Sequence, residues 1–325
     1  TLQMVFDELR SNPQRVVFAE GEEETVIRAA ITYYNSGYGT PILIGNTDTI
    51  RDSLRELGLG HEDEVEIHQG RDSPSAPGYV DYLYDRLQRK GFLYRDCLRM
   101  VNNDRNVLGA CMVAMGDGDA MVTGTTRSYS SVLEAMHRVM DAEAGHRVFG
   151  LTVVITRTGT VFIADSAVHE RPNARQLADI AEQSAAAARR FGHEPKVAFL
   201  SYSNFGNPLL ETTEEMRRAV TLLDQREVNF EYEGEMTASV ALNMDMRRLY
   251  PFCRLTGPAN VLIMPALHSA HISSKLLKEL GGGRIIGPLL IGLEKPIQVA
   301  PMDATASDLV NMAAIAAHSA IKNRP

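Results

Sequence analysis

Arg15-Val16-Val17-Phe18-Ala19, the amphipathic run from Glu24 to Tyr34 with a stop at Gly37, and then Pro41-Ile42-Leu43-Ile44-Gly45 read in order as strand, helix and strand. Two short apolar strands joined by a helix form a crossover unit, and crossover units build parallel sheets. This stretch predicts an α/β fold.

The same grammar continues on both sides. Asn46-Thr47-Asp48 supplies capping oxygens for the next helix, Glu64 to His68 reads as a third strand, and Tyr79 to Lys90 as a helix ended by Gly91. Asp96 to Met115 reads as mostly one helix, and Asp119 to Gly124 as a strand running into a loop. From about residue 145 the pattern restarts, with a hairpin-like pair (Val148 to Thr156, Thr160 to Ala164) and an Ala-rich helix from Ala174 to Phe191. A buried strand (Lys196 to Ser201), a helix (Thr213 to Gln225), an extended piece (Val228 to Glu231) and a helix (Met236 to Asn243) come next. Asn260 to Met264 and Ile285 to Leu289 are further strands, and Ala306 to Ile321 is a closing helix.

With 325 residues, 44% of them hydrophobic, the chain can bury cores for two lobes more readily than one. No apolar run reaches the roughly 18–20 residues of a membrane span. The start at Thr1 lacks both a secretory layout and an initiator Met, which reads as a piece of something longer. Cys97, Cys111 and Cys253 are odd in number and widely spaced, which fits a reducing cytoplasm and neither a disulfide framework nor a zinc knuckle. A net charge of −8 disfavours a broad nucleic-acid surface. A small phosphate-bearing ligand needs only a few local donors.

Several segments are candidate sites, each with a plainer alternative. Gly116-Asp117-Gly118 and Thr123-Gly124-Thr125-Thr126-Arg127-Ser128 flank a strand and offer amides to an anion, or are generic turns; they match neither a Walker A loop nor a GxGxxG fingerprint. Ser201-Tyr202-Ser203-Asn204-Phe205-Gly206 ends a buried strand, where open parallel sheets take ligands, but no nucleophile elbow surrounds its serines. Asp165-Ser166 ends another strand, where Asp165 can bind a polar group or satisfy loop amides. His268 and His271 lack a third metal ligand in register, so no metal is expected. Gly281-Gly282-Gly283 reads as a helix stop, and Arg189-Arg190 and Arg247-Arg248 as helix-surface charges.

Taken in order, these segments resemble the phosphate acetyl/butyryl-transferase (phosphotransacetylase) family over essentially the whole chain. The resemblance is carried by Phe18-Ala19-Glu20-Gly21-Glu22-Glu23, Ile42-Leu43-Ile44-Gly45-Asn46, Asp119 to Gly124, Ala164-Asp165-Ser166, Lys196 to Ser203, Ala259 to Pro265 and Gly287 to Pro296. It implies two Rossmann-like three-layer lobes, as in isocitrate and isopropylmalate dehydrogenases, with a ligand cleft between them. Residues 1–145 plus 294–325 would form one lobe and 146–293 the other. Working members move an acetyl group between CoA and phosphate, using a carboxylate base, a serine and arginine for the tetrahedral intermediate, and further arginines for phosphate.

Carried over position by position, the resemblance places the base on Asp308 but the serine on Pro301 and its arginine on Met302. The phosphate-binding arginines fall on Leu87, one step from Arg86, and on Glu134. Asp308 would then be vestigial. Thr123, Thr125, Arg127, Ser128, Asp165, Ser166, Ser201, Ser203, Asn204 and Lys295 would contact the ligand.

With His268-Ser269-Ala270-His271, these departures resemble the branch that forms the C-terminal module of bacterial multidomain NADP-dependent malic enzymes. The resemblance implies an acetyl-CoA-binding regulatory module, in a homodimer and in a higher oligomer with the malic enzyme part. The alternatives are an active phosphate acetyltransferase with relocated groups and a purely architectural module.

Overall fold

The computed structural model describes residues 2–58, 64–69, 76–209, 211–281 and 283–322. The chain divides into two units: Thr1–Ala144 with Leu293–Pro325, and Gly145–Gly292.

The first unit opens with α1 (Leu2–Ser11), β1 (Val16–Phe18), α2 (Glu24–Asn35), β2 (Pro41–Ile44), α3 (Thr47–Glu56) and β3 (Glu66–His68). It continues with α4 (Ala76–Leu87), α5 (Tyr94–Asn103), α6 (Arg105–Met115), β4 (Ala120–Thr123) and α7 (Tyr129–Val139). The second unit holds β5 (Phe149–Ile155), β6 (Thr160–Ala164), α8 (Ala174–Arg190), β7 (Lys196–Leu200), α9 (Glu214–Arg226) and β8 (Glu231–Met236). It ends with α10 (Ala238–Leu242), α11 (Met244–Arg247), β9 (Val261–Ile263), α12 (Leu267–Leu280) and β10 (Arg284–Ile291), after which β11 (Ile297–Val299) and α13 (Ala306–Lys322) return to the first unit.

The first sheet runs β11-β4-β1-β2-β3 and is parallel throughout. Its central strands are buried on both faces, which is why Val16-Val17-Phe18 and Ala120 to Thr123 carry no apolar–polar alternation. Strand order reverses between β1 and β4, the kind of switch point at which open α/β sheets bind ligands. Register sets Phe18 level with Val122, and Thr123 level with Val299. The second sheet runs β10-β5-β6-β9-β7-β8, antiparallel at the β10 end and parallel from β6 onward. No described helix is long and apolar enough to cross a membrane.

The structure corrects four local readings. The single helix expected from Asp96 to Met115 is two, because Asp104 has extended backbone and its carboxylate caps α6 by accepting from the N–H groups of Asn106 and Val107. The extended piece expected at Val228 to Glu231 begins at Glu231 and continues to Met236, a strand whose acidic side chains conceal it. The helix expected from Met236 is the shorter α10, since Met236 itself ends β8.

Arg247, expected on a helix surface, is 4% exposed. Its guanidinium donates to the carbonyls of Val240, Ala241, Leu255 and Gly257, and so ties α10 to the loop before β9. Arg248 does lie outside, pairing with Asp245. Of the glycine triplet, Gly281 follows α12 as its cap, Gly283 precedes β10, and Gly282 lies outside the described residues.

Candidate functional site

In the first unit, β1, β4 and β11 end side by side, and the segments leaving these three strands meet there. Glu20 lies just beyond β1 and is buried. One carboxylate oxygen accepts from the N–H groups of Gly124 (3.1 Å) and Thr125 (2.6 Å) and from the Thr125 hydroxyl. The other accepts from the N–H of Thr126 (3.2 Å) and from its hydroxyl. The loop after β4 thus wraps a carboxylate of its own chain much as such loops wrap phosphate. Gly124 allows this approach: its φ is +115°, and a Cβ there would lie 2.3 Å from the Ala300 carbonyl oxygen.

Thr123 is buried and donates to the Asn106 side chain. Arg127 pairs with Asp104 at 2.8 Å, and Arg105 with Glu22 at 2.7 Å. Ser128 caps α7 by accepting from the N–H of Ser131. Lys295 is exposed in the turn before β11.

Past β11, Pro301 offers no donor and Met302 projects into solvent. Asp308 stands in the first turn of α13, where it accepts from the N–H (3.0 Å) and hydroxyl (2.7 Å) of Thr305, while its own N–H donates to that hydroxyl (3.2 Å). This reciprocal pair is a capping box, so the carboxylate has a local structural task. Leu87 is 1% exposed in the core beneath α4. Its neighbour Arg86 pairs with Asp141 at 3.0 Å, and Glu134 is exposed on α7, paired with Arg138.

In the second unit, Asp165 directly follows β6 and is buried. Its carboxylate accepts from the N–H groups of Gly150, Ala167, Val168 and His169, and Nδ1 of His169 lies 2.7 Å from Oδ2. Burial alone pushes the carboxyl up, but the hydrogen bonds from His169, Ala167 and Gly150 outweigh it and hold Asp165 below the usual carboxylate range. Such a group stabilises the fold above its unfolded pKa of about 3.9, and that contribution fades as pH falls through the lower folded value. We therefore expect Asp165→Asn to cost about 2–3 kcal/mol at neutral pH, as amides lose a charged acceptor. Urea melts should show the wild-type and variant curves converging below about pH 4; a gap that stays constant down to pH 2 would contradict this.

Ser166 accepts from the Thr152 hydroxyl at 2.9 Å. Beyond β7, Ser203 is fully buried and donates to Glu235 Oε1 at 2.7 Å, with Ser201 Oγ 3.4 Å away. Gly206 donates to the same oxygen at 2.8 Å, and Arg217 lies 3.5 Å from it. Asn204 accepts from the N–H and hydroxyl of Thr237. His268 and His271 are exposed on α12, and among the described residues no group of three or more His, Cys, Asp or Glu side chains could hold a metal ion.

Glu20 and Glu235 organise the two strand-end regions, and neither stands out as a site residue in the sequence. The available signal is a carboxylate directly after, or at the end of, a buried strand, where burial demands donors.

The two α/β units, each presenting loops at strand ends, define a phosphotransacetylase fold. A phosphotransacetylase from Streptococcus pyogenes superimposes with a TM-score of 0.90 at 27% identity, covering 99% of both chains. The chain belongs to the phosphate acetyl/butaryl transferase family, whose model matches residues 1–317. It is 51% identical over 321 residues to an NADP-dependent malic enzyme of Rhizobium meliloti, covering 98% of this chain and 42% of that protein. It is 30% identical over 315 residues to a phosphate acetyltransferase of Nitratidesulfovibrio vulgaris, covering 96% of this chain and 44% of that one. The chain thus spans less than half the length of these curated relatives, and corresponds to a phosphotransacetylase-like domain of malic enzymes.

Proposed function

We propose that this chain is a catalytically degenerate phosphotransacetylase-like regulatory module. It binds acetyl-CoA or a related CoA ester and modulates an attached NADP-dependent malic enzyme, which converts malate to pyruvate by oxidative decarboxylation. One observation carries the reading: the positions assigned to the transfer chemistry hold groups that cannot perform it, in an otherwise complete scaffold. Leu87 is core, Glu134 is an anion, Pro301 and Met302 offer no polar side chain, and Asp308 is engaged by Thr305. A module that holds a CoA ester without consuming it can report its concentration, provided two states of the protein bind it with different affinity.

The same reading includes a homodimer through this chain, and a higher oligomer with the malic enzyme part. Ile272, Leu276 and Leu280 recur every four residues on α12 and are exposed, an apolar stripe of the kind that a second copy covers. We place the module in the cytoplasm, where the free thiols of Cys97, Cys111 and Cys253 persist; burial pushes the Cys111 thiol up to about 12, keeping it protonated.

Calorimetric titration with acetyl-CoA tests the reading, with light scattering on the same sample. Saturable binding by a particle of twice the chain's mass is expected. No heat at millimolar acetyl-CoA would sink the ligand assignment, and a monomer would sink the dimer.

A further inference from the structure

Phe205 has a backbone φ of +51°, in the left-handed region that a bulky side chain adopts only when its surroundings impose it. The surroundings here are specific. Phe205 N–H donates to the Glu235 carbonyl and Gly206 N–H to the Glu235 carboxylate, both at 2.8 Å. Asn204 and Asn207 exchange backbone hydrogen bonds at 3.1 and 3.0 Å, and the Asn204 side chain is held by Thr237. The turn is thereby fastened to the end of β8 at several points.

This fastening achieves the placement of one ring. Phe205 meets Tyr250 at 5.2 Å between centroids and Phe252 at 4.8 Å, the latter edge to face at 74°. Tyr250 and Phe252 also meet edge to face, at 6.1 Å and 86°. Each ring is braced by the other two, yet Phe252 remains 63% exposed. Burial is therefore a poor reason for its position, since most of its apolar surface still faces water.

The trio stands beside the carboxyl ends of β7 and β8, the edge at which parallel strands present ligands. Phe205 is carried by the same loop as Ser201, Ser203 and Asn204. A rigid aromatic face at a wet edge suits a flat π-system with a polar rim, which a nucleobase is and an acyl chain is not.

We propose that Phe205, Tyr250 and Phe252 form a shelf on which the adenine ring of a CoA ester stacks, with Phe252 as the contacting face. This deepens the CoA-ester reading above and rests on it. Phe205 and Tyr250 are positioning residues that brace Phe252.

The experiment uses the full chain with Phe252→Ala and Phe252→Trp, both at a solvent-facing position, with thermal melts to confirm folding. Phe252→Ala is expected to weaken acetyl-CoA binding by roughly 10- to 100-fold, the usual worth of stacking one base on an aromatic ring. The chain contains no Trp, so Phe252→Trp introduces a single indole. This variant should keep wild-type affinity, and its emission should be quenched by adenosine 3′,5′-bisphosphate. Equal acetyl-CoA affinity in wild type and Phe252→Ala overturns the shelf and leaves the CoA-ester reading standing. Absence of acetyl-CoA binding to the wild type overturns both. Dissociation of a dimer by Phe252→Ala at unchanged affinity would make the rings a subunit contact and likewise overturn the proposal.

Discussion

Formation of acetyl phosphate from acetyl-CoA and phosphate by this chain is expected to run at least about 10³-fold below the typical enzyme turnover of about 10 s⁻¹. Asp308→Asn is expected to leave that residual rate unchanged. Acyl transfer passes through a tetrahedral intermediate whose oxygen becomes an anion, and removing one donor aimed at it costs about 10²–10³ in rate. Here both residues assigned to that task, Pro301 and Met302, have side chains without a donor.

The phosphate side fares no better. A guanidinium at Leu87 would have to be buried in the core, and Glu134 presents a negative charge. Arg86, Arg105 and Arg127 each already hold a carboxylate, from Asp141, Glu22 and Asp104. A steady-state assay decides the matter. Turnover near 10 s⁻¹ that falls a hundredfold or more in Asp308→Asn would establish the rival reading, a working phosphate acetyltransferase with donors such as Arg127 or Lys295.

Arg247→Ala is expected to destabilise the second unit by about 3–5 kcal/mol, a loss of roughly 6–20 °C in its melting temperature. The substitution leaves a cavity and removes the donor that these carbonyls now meet; the Ala241 carbonyl also accepts from the N–H of Ala259. Each unsatisfied buried carbonyl costs about 1–3 kcal/mol. Arg247→Lys should recover only part, because an ammonium cannot fork to Leu255 and Gly257 on one side and Ala241 on the other. Thermal unfolding followed by circular dichroism would test this, and an unaltered melt for Arg247→Ala would show that water replaces the guanidinium.

The crossover grammar is legible because central strands such as Val16 to Phe18 and Lys196 to Leu200 are short, apolar and bounded by turn residues. Elements at the margins are harder to read. β8 is Glu231-Tyr232-Glu233-Gly234-Glu235-Met236, an edge strand whose carboxylates find Thr256, Arg254 and Ser203 through contacts distant in sequence. β11 is three residues long and becomes a strand only by pairing with β4. α1 escapes the sequence reading as well; it docks through Val5 and Leu9, and through Glu8 to His318 (3.0 Å) and Lys322 (2.7 Å).

At the candidate site the sequence identifies the strand-end loops and Asp165, but not Glu20 or Glu235. Glu20 and Glu235 matter because of donors from residues far along the chain, Thr125 in one case and Ser203 in the other. Arg247 is hidden for the same reason: adjacent to exposed Arg248, it differs only in the residues that the fold brings over it.

The first unit is interrupted after Ala144 and resumes at Leu293, with the whole second unit between. During synthesis, then, the nascent sheet around β4 waits with an open edge while the inserted body emerges and folds, since β11 leaves the ribosome only afterwards. Thr305 and Asp308, which follow β11, therefore reach their places only after the insert has emerged. A nascent chain stalled before β11 would carry a finished insert on an unfinished host.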